Sequence, residues 1–364
     1  MSRPEPLRPT RLAAREERSA AAEPAADPHR VTAKAAGRDR ALAGRALTSL
    51  LRIMRSRVVR IAFLAAVLAL LAVALVDQGD TLWHEVRRLS APVVLLAFAL
   101  NLCGLVCSLM VWREMLADLG SRLSIAEAWR IMYVGQLAKY IPGSIWPVLA
   151  QSELGADRGI PRSRSALSVL LCYAVMTCSG AIVAAITLPF ATARTSAQYL
   201  WVLIVVPVSI VVLSPPVLNR LLNLVLRLAR QPALQEHVSF TGLARTLAWA
   251  MAGWLFNGLM VYVLMRQLAG HPQGTLLVSF GAYSLSWAAG FLAVFAPAGA
   301  GVREAVMVAV LGTRTTTAIA LTIALVTRAT AVLCDAVTAA AAAVLVGRGR
   351  LRQLRATRRG GQLS

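Results

Sequence analysis

Charged residues are scarce in this chain, and acidic residues are scarcer than basic ones. Asp, Glu, Lys and Arg together make up 15% of its 364 residues, whereas a soluble domain usually carries about 25%. Apolar residues reach 57%, and most of them stand in runs with almost no charge, which excludes an ordinary soluble fold. The runs cover residues 61–76, 91–112, 166–190, 199–213, 246–265 and 318–346, with Arg328 and Asp335 as the charged exceptions.

Several of these apolar runs are long enough to cross a membrane. About 20 residues of helix span the roughly 30 Å of hydrocarbon in a bilayer, and backbone groups inside that layer must bond within their own element. The runs are continuously apolar rather than alternating, so they do not resemble the strands of a membrane β-barrel. The sequence therefore predicts an all-α, polytopic membrane helical bundle. We expect about six to eight transmembrane helices, with one or two of them re-entrant or broken.

Histidine is rare, and no catalytic or metal-binding pattern accompanies it. The sequence has no HExxH, GxSxG or Walker A motif. Its five cysteines lie in apolar runs, without metal-ligand spacing or a disulfide framework. We therefore predict that the protein is not an enzyme and needs no metal or other cofactor. The four histidines, which we assign to the basic leader or to loops, are His29, His84, His237 and His271.

The formal net charge is +21, and the basic excess lies mostly outside the apolar runs. Residues 1–57 hold 12 Arg and one Lys, and residues 347–364 hold six Arg and no acid. Short basic flanking segments stay in the cytosol and attract anionic lipid head groups, whereas no aromatic-interleaved basic platform suggests nucleic acid. We predict a disordered basic leader over 1–57, a membrane domain over 58–346 and a basic tail over 347–364. Both ends would lie on the cytosolic side of the cytoplasmic membrane.

Loop charges predict the direction of each crossing. The nearly charge-balanced loop over 77–90 fits the outside, and the Arg-containing loop over 216–245 fits the cytosol. The final run must end inside, because the Arg-rich tail follows it. The predicted full crossings cover residues 58–76, 91–112, 166–190, 199–215, 246–268 and 317–346.

Residues 131–150 lie between two Arg-containing loops, 113–130 and 158–164, which both fit the cytosol. The simplest solution is a segment that enters and leaves by the same membrane face. Pro142 and Gly143 permit the break that such a re-entrant hairpin needs.

Residues 275–314 have both predicted ends outside. They form either two full crossings or a second re-entrant hairpin, broken at the stretch that contains Pro297, Gly299 and Gly301. Only residues 302–312 follow the break, too few for an untilted crossing, so we favour the hairpin. Two broken elements, one in each half of the chain, form the sequence pattern that best indicates a transport site at the membrane midplane.

The first broken element carries a charge that a bilayer disfavours. Its sequence over residues 135–151 is GQLAKYIPGSIWPVLAQ, which places Lys139 and Tyr140 just before the break and Trp146 just after it. A lysine inside a membrane costs roughly 2.5–3.5 kcal/mol on insertion scales. Lys139 therefore either meets an anionic lipid phosphate or snorkels to the interface, with Tyr140 and Trp146 as belt aromatics.

The second broken element, FAPAGAGVREAVMVAVLG over residues 295–312, starts a helix directly after its small residues. Free N–H groups at a helix start favour anions. A negative charge at Glu304 is therefore favourable in the first turn, whereas the positive charge of Arg303 is not. In the functional interpretation Arg303 binds a phosphate and Glu304 orients a neighbouring base. The alternative interpretation is a structural ion pair between helices.

The last apolar run carries Arg328 and Asp335, seven residues apart and so about 10 Å apart on one helix face. They are too far apart to pair directly, so each needs a partner on another element. Candidates are Glu304 for Arg328, and Lys139 or Arg303 for Asp335. A purely structural network between helices is an equal alternative.

Two motifs resemble the signatures of a known family. Residues 135–146 read GQLAKYIPGSIW and are followed by Gly-Ile-Pro at 159–161, and residues 296–306 read APAGAGVREAV, similar to a Pro-Gly-Gly-x-Gly-x-Arg-Glu run. Both resemble the flippase-like membrane domain of lysylphosphatidylglycerol synthases and their stand-alone relatives. The resemblance covers about residues 58–346.

This resemblance implies a helical bundle that translocates a lipid across the bilayer. In the multidomain relatives the lipid is an aminoacylated phosphatidylglycerol, and some stand-alone relatives accompany glycan or polyprenyl-lipid pathways. Ala298 departs from the usual glycine, and Leu171-Cys172-Tyr173 stand where many relatives carry Glu-Arg. A synthase domain is absent from this sequence, so we expect that the protein does not make the lipid. The positions that match the motifs are Lys139, Pro142, Gly143, Trp146, Pro297, Gly299, Gly301, Arg303 and Glu304.

The leading prediction is a transporter for a phospholipid or a polyprenyl-phosphate-linked lipid, with membrane lipids as its partners. Lys139 and Arg303 would meet the head-group phosphate, and Glu304 and Asp335 would balance them in the empty site. One alternative is a non-transporting accessory subunit of a glycosyltransferase or of a lipid or cell-envelope synthesis pathway. Another is a membrane-embedded transferase that uses Glu304 or Asp335 as a base. The predicted substrate-binding residues are Lys139, Tyr140, Trp146, Arg303, Glu304, Arg328 and Asp335.

Overall fold

Every regular element in the described part of this chain is helical. The computed structural model describes residues 79–140, 145–191, 200–228, 231, 236–270, 274–293 and 296–360. The predicted leader over 1–57 and the predicted first crossing over 58–76 lie outside these residues. After a helical stretch at 79–87 the helices are α1 (Ala91–Asp118), α2 (Ile125–Gln136), α3 (Trp146–Ala156), α4 (Arg162–Ala191), α5 (Leu200–Leu213), α6 (Pro215–Leu228), α7 (Phe240–Ala269), α8 (Thr275–Leu292), α9 (Val302–Leu311) and α10 (Thr317–Gly360).

Five of the described helices are long and apolar enough to cross a membrane: α1, α4, α7, α8 and α10. The number becomes six if α5 and α6, which meet at a 68° bend, count as one broken span. The prediction of an all-α polytopic bundle is therefore confirmed. The helices also extend beyond the predicted apolar runs, because a helix continues wherever its backbone bonds can be made, in lipid or in water.

Helices α1 and α7 form a long antiparallel pair within the bundle. At one end the Asp118 carboxylate accepts hydrogen bonds from the backbone N–H and the hydroxyl of Ser239, each at 2.7 Å. Ser239 in turn caps α7 by accepting the N–H of Gly242 at 2.9 Å. At the other end Gln267 donates to the carbonyl of Arg88 at 2.8 Å. Side-chain hydrogen bonds at both ends fix the register of this pair.

Two predicted loops contain helix, and these assignments were wrong. The segment 216–245 was predicted as a loop, but its first part belongs to α6 and its last part to α7. Leu218, Leu222 and Leu226 recur every four residues and are buried, which is the period of a helix with one apolar face. His84, predicted in a loop, lies in the helical stretch at 79–87.

The first predicted re-entrant segment is a helical hairpin made of α2 and α3. Its arms run antiparallel, because Glu127 pairs with Arg158 at the open end and Gly135 lies against Gln151 near the tip. A short 3₁₀ turn, Leu137–Tyr140, ends the first arm. The predicted bounds 131–150 were too narrow, because a capping box starts α2 after Ser124. Pro142 and Gly143, the predicted break, lie outside the described residues.

The second broken element, α8 followed by α9, is also a helical hairpin. Arg303 lies against Gly290, and Met307 lines the same small cavity as Tyr283 and Ser286. Since numbers rise along α9 as they fall along α8, α9 runs back along α8. The returning arm has 10 residues, or about 15 Å of helix, half the thickness of the hydrocarbon layer. The described geometry thus fits the predicted hairpin and not two full crossings.

Candidate functional site

The tips of both hairpins line one central cavity. The cavity has about 180 Å³ of space open to water-sized molecules. The first hairpin contributes Lys139 and Tyr140, the second contributes Arg303, and α10 contributes Arg328 and Asp335. Five of the seven predicted site residues, taken from two distant sequence motifs and the last helix, therefore border the same space.

The cavity lies at mid-depth along α10, the helix that both hairpin tips contact. The apolar part of α10 covers Thr317–Val344. Arg328 lies about 16 Å from its start and Asp335 about 14 Å from its end at 1.5 Å per residue. Both charged side chains are therefore held near the middle of a membrane-length helix, where an isolated charge is costly.

Asp335 is the anchor for the tip of the first hairpin. One of its oxygens, Oδ2, lies 2.6 Å from Nζ of Lys139 and accepts the Tyr140 hydroxyl at 2.6 Å. The Asp335 side chain is 7% exposed and that of Lys139 is 29% exposed. This pairing confirms one of the two partners predicted for Asp335. Burying a carboxylate is costly, and these two donors compensate that cost.

Arg328 is the anchor for the tip of the second hairpin. Its Nη1 donates to the backbone carbonyl of Ala298 at 3.0 Å, and its Nε lies 3.5 Å from Oε1 of Glu304, as predicted. The other Glu304 oxygen accepts the N–H of Gly301 at 2.6 Å, which caps α9. Glu304 therefore caps α9 and also links the start of this helix to α10.

Arg303 differs from the other two cations of the cavity. Its guanidinium carbon lies 5.4 Å from the centre of the Trp287 ring, close enough for a cation–π contact. Within the described residues no carboxylate lies within 4.0 Å of its nitrogens, and its buried Nε has no hydrogen-bond partner. Lys139, Arg303, Arg328 and Asp335 line the cavity, so its lining carries a formal charge of +2. Glu304 pairs with Arg328 beside the cavity, and the charge of +1 that then remains belongs to Arg303.

The backbone of the second hairpin tip needs left-handed conformations. Gly299 and Gly301 have φ values of 71° and 83°, which glycine adopts without steric cost. Ala298 has φ 51° and ψ 25°, and it is the only non-glycine residue with positive φ in the described part of the chain. The departure from the family motif therefore falls at a position that favours glycine, so the alanine strains the turn. Pro297 opens the same 3₁₀ turn.

Trp146 is not brought into the cavity. It begins α3 with its side chain 43% exposed, and it is not among the cavity-lining residues. Its predicted role in substrate binding is therefore not supported by its position. An aromatic residue at the start of an arm fits the alternative interpretation, an interfacial anchor.

Sequence reasoning missed an aromatic and amide wall of the cavity. Trp254 lies 5.6 Å from Trp287 in a T-shaped arrangement, and Trp287 stacks on Phe291 at 5.7 Å. Asn101 on α1 and Asn257 on α7 bond to each other at 2.8 Å in the same wall. Polar Asn residues inside apolar runs were a usable signal, because a buried amide needs a partner.

The family departure on α4 also faces the cavity. Cys172 and Tyr173 line it, and the Tyr173 ring lies 4.9 Å from that of Phe291. Where many relatives are expected to carry a charged pair, this chain presents a thiol and a phenol. Among the described residues no group of three or more His, Cys, Asp or Glu side chains is placed to hold a metal ion.

Together the fold and this cavity define a multi-pass membrane protein with two broken hairpins that meet at a cationic site. The family model for the lysylphosphatidylglycerol synthase transmembrane region matches residues 57–338. The chain therefore belongs to this family of membrane domains linked to lipid handling, as its two motifs predicted. A search of curated proteins finds no match.

Proposed function

We propose that this protein is a flippase-like transporter that moves a phospholipid or a polyprenyl-phosphate-linked lipid across the cytoplasmic membrane. The observation that carries the proposal is the position of Arg303. Its guanidinium borders a cavity between two hairpin tips and has no carboxylate partner among the described residues. A cation in that position creates a site for an anion from outside the protein.

A phosphate is the anion that best fits a site of this kind. Buried cations are costly unless they are paired, and a guanidinium binds phosphate through two parallel hydrogen bonds. Lys139 lies on the other hairpin tip and lines the same cavity. A head-group phosphate between Arg303 and Lys139 would therefore contact both hairpins at once.

The size of the cavity limits it to a head group. Pockets for drug-sized ligands have about 300–1,000 Å³, more than the 180 Å³ available here. Tyr140 and Val332 line the cavity and are 39% and 42% exposed, so the gap between the first hairpin and α10 leads out of the bundle. In the proposed mechanism the acyl or polyprenyl chain stays in the bilayer and only the head group enters.

The two ion pairs would act as resting partners for the site. A phosphate that binds Lys139 competes with Asp335, which keeps only the Tyr140 hydroxyl when the lysine turns away. Glu304 and Arg328 hold the second hairpin on α10 in the same way. If a phosphate replaced the carboxylates as partner of the cations, the hairpins would be released from α10. Head-group binding would thereby be coupled to movement of the hairpins against α10, and alternating access requires such a movement.

The proposed role is transport and not chemistry. The basic ends of the chain would lie in the cytosol, in keeping with the positive-inside rule. Membrane lipids would be the main partners, and a glycosyltransferase or envelope-synthesis enzyme could supply or use the lipid. This topology and these partners are part of the transport proposal.

The test is head-group movement in reconstituted vesicles. The wild type, Arg303→Gln and Lys139→Met are compared, with Arg162→Gln as the control. Arg162 pairs with Glu153 at an exposed position, away from the cavity. We expect the two cavity variants to lose at least about tenfold in rate, because each removes a charge that would hold the phosphate, while the control keeps its rate.

Two outcomes would overturn the proposal. Wild-type rates in both cavity variants would remove Arg303 and Lys139 from the site. No lipid movement by the wild type, together with co-purification of a synthesis enzyme, would instead favour the accessory-subunit alternative.

A further inference from the structure

Asn101 and Asn257 place two buried amides in the wall of the cavity. Asn101 is 3% exposed and Asn257 is 8% exposed, and both line the central cavity. Nδ2 of Asn101 donates to Oδ1 of Asn257 at 2.8 Å. Nδ2 of Asn257 donates to the carbonyl of Gly253 at 2.9 Å. Amides in the middle of two apolar helices are costly unless all their polar atoms are bonded.

The direction of this chain of hydrogen bonds is fixed by its last member. A carbonyl such as that of Gly253 can only accept, so Asn257 must turn its amide nitrogen towards it. The Asn257 oxygen then faces Asn101, so Asn101 must donate a hydrogen bond from its own amide nitrogen. Oδ1 of Asn101 is left over, and among the described residues it has no donor. The leftover atom is therefore an acceptor, whichever way the amides were first assigned.

An aromatic wall connects this acceptor with the phosphate subsite. Trp254 precedes Asn257 by one helical turn, its ring lies 5.6 Å from that of Trp287, and Trp287 carries the Arg303 guanidinium on its face. All four side chains border the same cavity. A head group with its phosphate at Arg303 would extend along these rings towards Asn101.

We propose that Asn101 and Asn257 form a second subsite, which selects lipid head groups that carry a hydrogen-bond donor beyond the phosphate. The donor is an ammonium or a hydroxyl group, and it bonds to Oδ1 of Asn101. The faces of Trp254 and Trp287 add attraction for an ammonium. A head group of the same size without an N–H or O–H leaves the acceptor unbonded and binds more weakly. This inference rests on the proposed function, since it assumes that the phosphate binds at Arg303.

The test compares lipids in pairs, in which one member carries an N–H or O–H donor beyond the phosphate and the other does not. Binding to the purified full-length protein is titrated with phosphatidylethanolamine against phosphatidylcholine, and with phosphatidylglycerol against phosphatidylpropanol, all with the same acyl chains. A third pair is polyprenyl phosphate with and without a linked hexose. We expect the donor-bearing member of at least one pair to bind about tenfold more tightly, as one unmet hydrogen bond predicts. The pair that discriminates identifies the donor as ammonium, glycerol hydroxyl or sugar hydroxyl.

The double variant Asn101→Leu/Asn257→Leu should remove this preference and keep phosphate binding, because both amides leave together and no new unpaired group is created. Asn219→Leu is the matched control. Among the described residues its amide bonds the backbone of Val238, and Asn219 does not line the cavity, so the preference should persist. Arg303→Gln should weaken both members of each pair by the same factor.

The outcomes separate this inference from the proposed function. Equal binding within every pair by the wild type, with binding still lost in Arg303→Gln, would overturn the second subsite alone. An unchanged preference in the double Asn variant would do the same. Wild-type binding that does not depend on Arg303 for any of the six lipids would overturn the proposed function, and this inference with it.

Discussion

Gly290 leaves the space that the Arg303 side chain occupies. A methyl group on Gly290 would overlap Cγ of Arg303, and a methyl group on Gly299 would lie 2.9 Å from the Gly290 backbone. The close approach of α8, the hairpin tip and the start of α9 therefore depends on small residues. It also directs the guanidinium onto Trp287 and into the cavity.

Gly290→Ala should displace the Arg303 side chain without unfolding the bundle. The three nearest atoms belong to the Arg303 side chain and not to backbone, but the clash begins at Cγ, so the whole arginine side chain must take another rotamer. We expect phosphate-lipid binding to weaken about tenfold, with a melting temperature close to that of the wild type. Gly79→Ala is the control, because nothing lies within 4 Å of an added methyl group there. Wild-type binding by Gly290→Ala would argue against the dependence of the site on this contact.

Removing either partner of the Lys139–Asp335 pair should destabilise the fold. Lys139→Met leaves the Asp335 carboxylate buried with only the Tyr140 hydroxyl, and Asp335→Asn leaves a lysine without an anion. We expect each single variant to lose about 3 kcal/mol of stability. The double variant should be more stable than either, because no unpaired charge remains. Thermal unfolding in detergent measures all four forms.

The wild type, the two single variants and the double variant form a double-mutant cycle. The exposed pair Arg162–Glu153 provides a comparison for it. Its side chains are 66% and 65% exposed, so water screens their attraction. The same double-variant cycle should give a coupling energy near zero there. Additive losses at Lys139 and Asp335, like those at the exposed pair, would contradict a buried and coupled pair.

Ala298→Gly should stabilise the second hairpin. The alanine occupies the left-handed region, which costs a non-glycine residue about 1–2 kcal/mol, while the added chain entropy of glycine returns about 0.5–1 kcal/mol of that gain. We expect a net gain of up to about 1 kcal/mol, seen as a higher melting temperature. Ala296→Gly, without positive φ, should instead lower it. A lower melting temperature for Ala298→Gly would contradict the strain.

Glu127 should stabilise the first hairpin in a pH-dependent way. Hydrogen bonds from Ser124, and then the charge of Arg158, hold the pKa of the Glu127 carboxyl below its usual value. A lowered folded-state pKa means that the contribution is complete above the unfolded pKa, about 4.3, and is lost as the pH falls through the folded pKa.

Glu127→Gln keeps an acceptor for the Ser124 N–H but removes the negative charge at the start of α2, so it should cost about 0.3–1 kcal/mol near pH 7. The difference from the wild type should shrink as the pH falls below about 4.3. Denaturation of the wild type and the variant across pH 3–7 provides the measurement. A difference that stays constant over this range would show that the charge of Glu127 does not contribute.

Much of the fold and part of the site could be predicted from local features of the sequence. Apolar runs predicted α1, α4, α7 and α10, because the bilayer leaves a long apolar segment no alternative to a helix. Pro and Gly within residues 131–150 and 275–314 predicted both hairpins. Arg328 and Asp335 needed partners, and the structure pairs Arg328 with Glu304 and Asp335 with Lys139, one of its two named candidates. Arg303, the other candidate for Asp335, does not pair with it. Helix α6 was missed, because its Arg residues led to its assignment as a cytosolic loop, although leucines recur in it every four residues.

By itself, the sequence determined how many charges lie among apolar residues and where the helices break, since bilayer energetics and backbone sterics act locally. Only the tertiary structure decided which of those charges remains unpaired. Glu304 turns to Gly301 and Arg328, Asp335 turns to Lys139, and Arg303 is left facing the cavity. Ion pairing depends on distances of a few ångströms between elements that are far apart in the chain, and no local pattern encodes those distances.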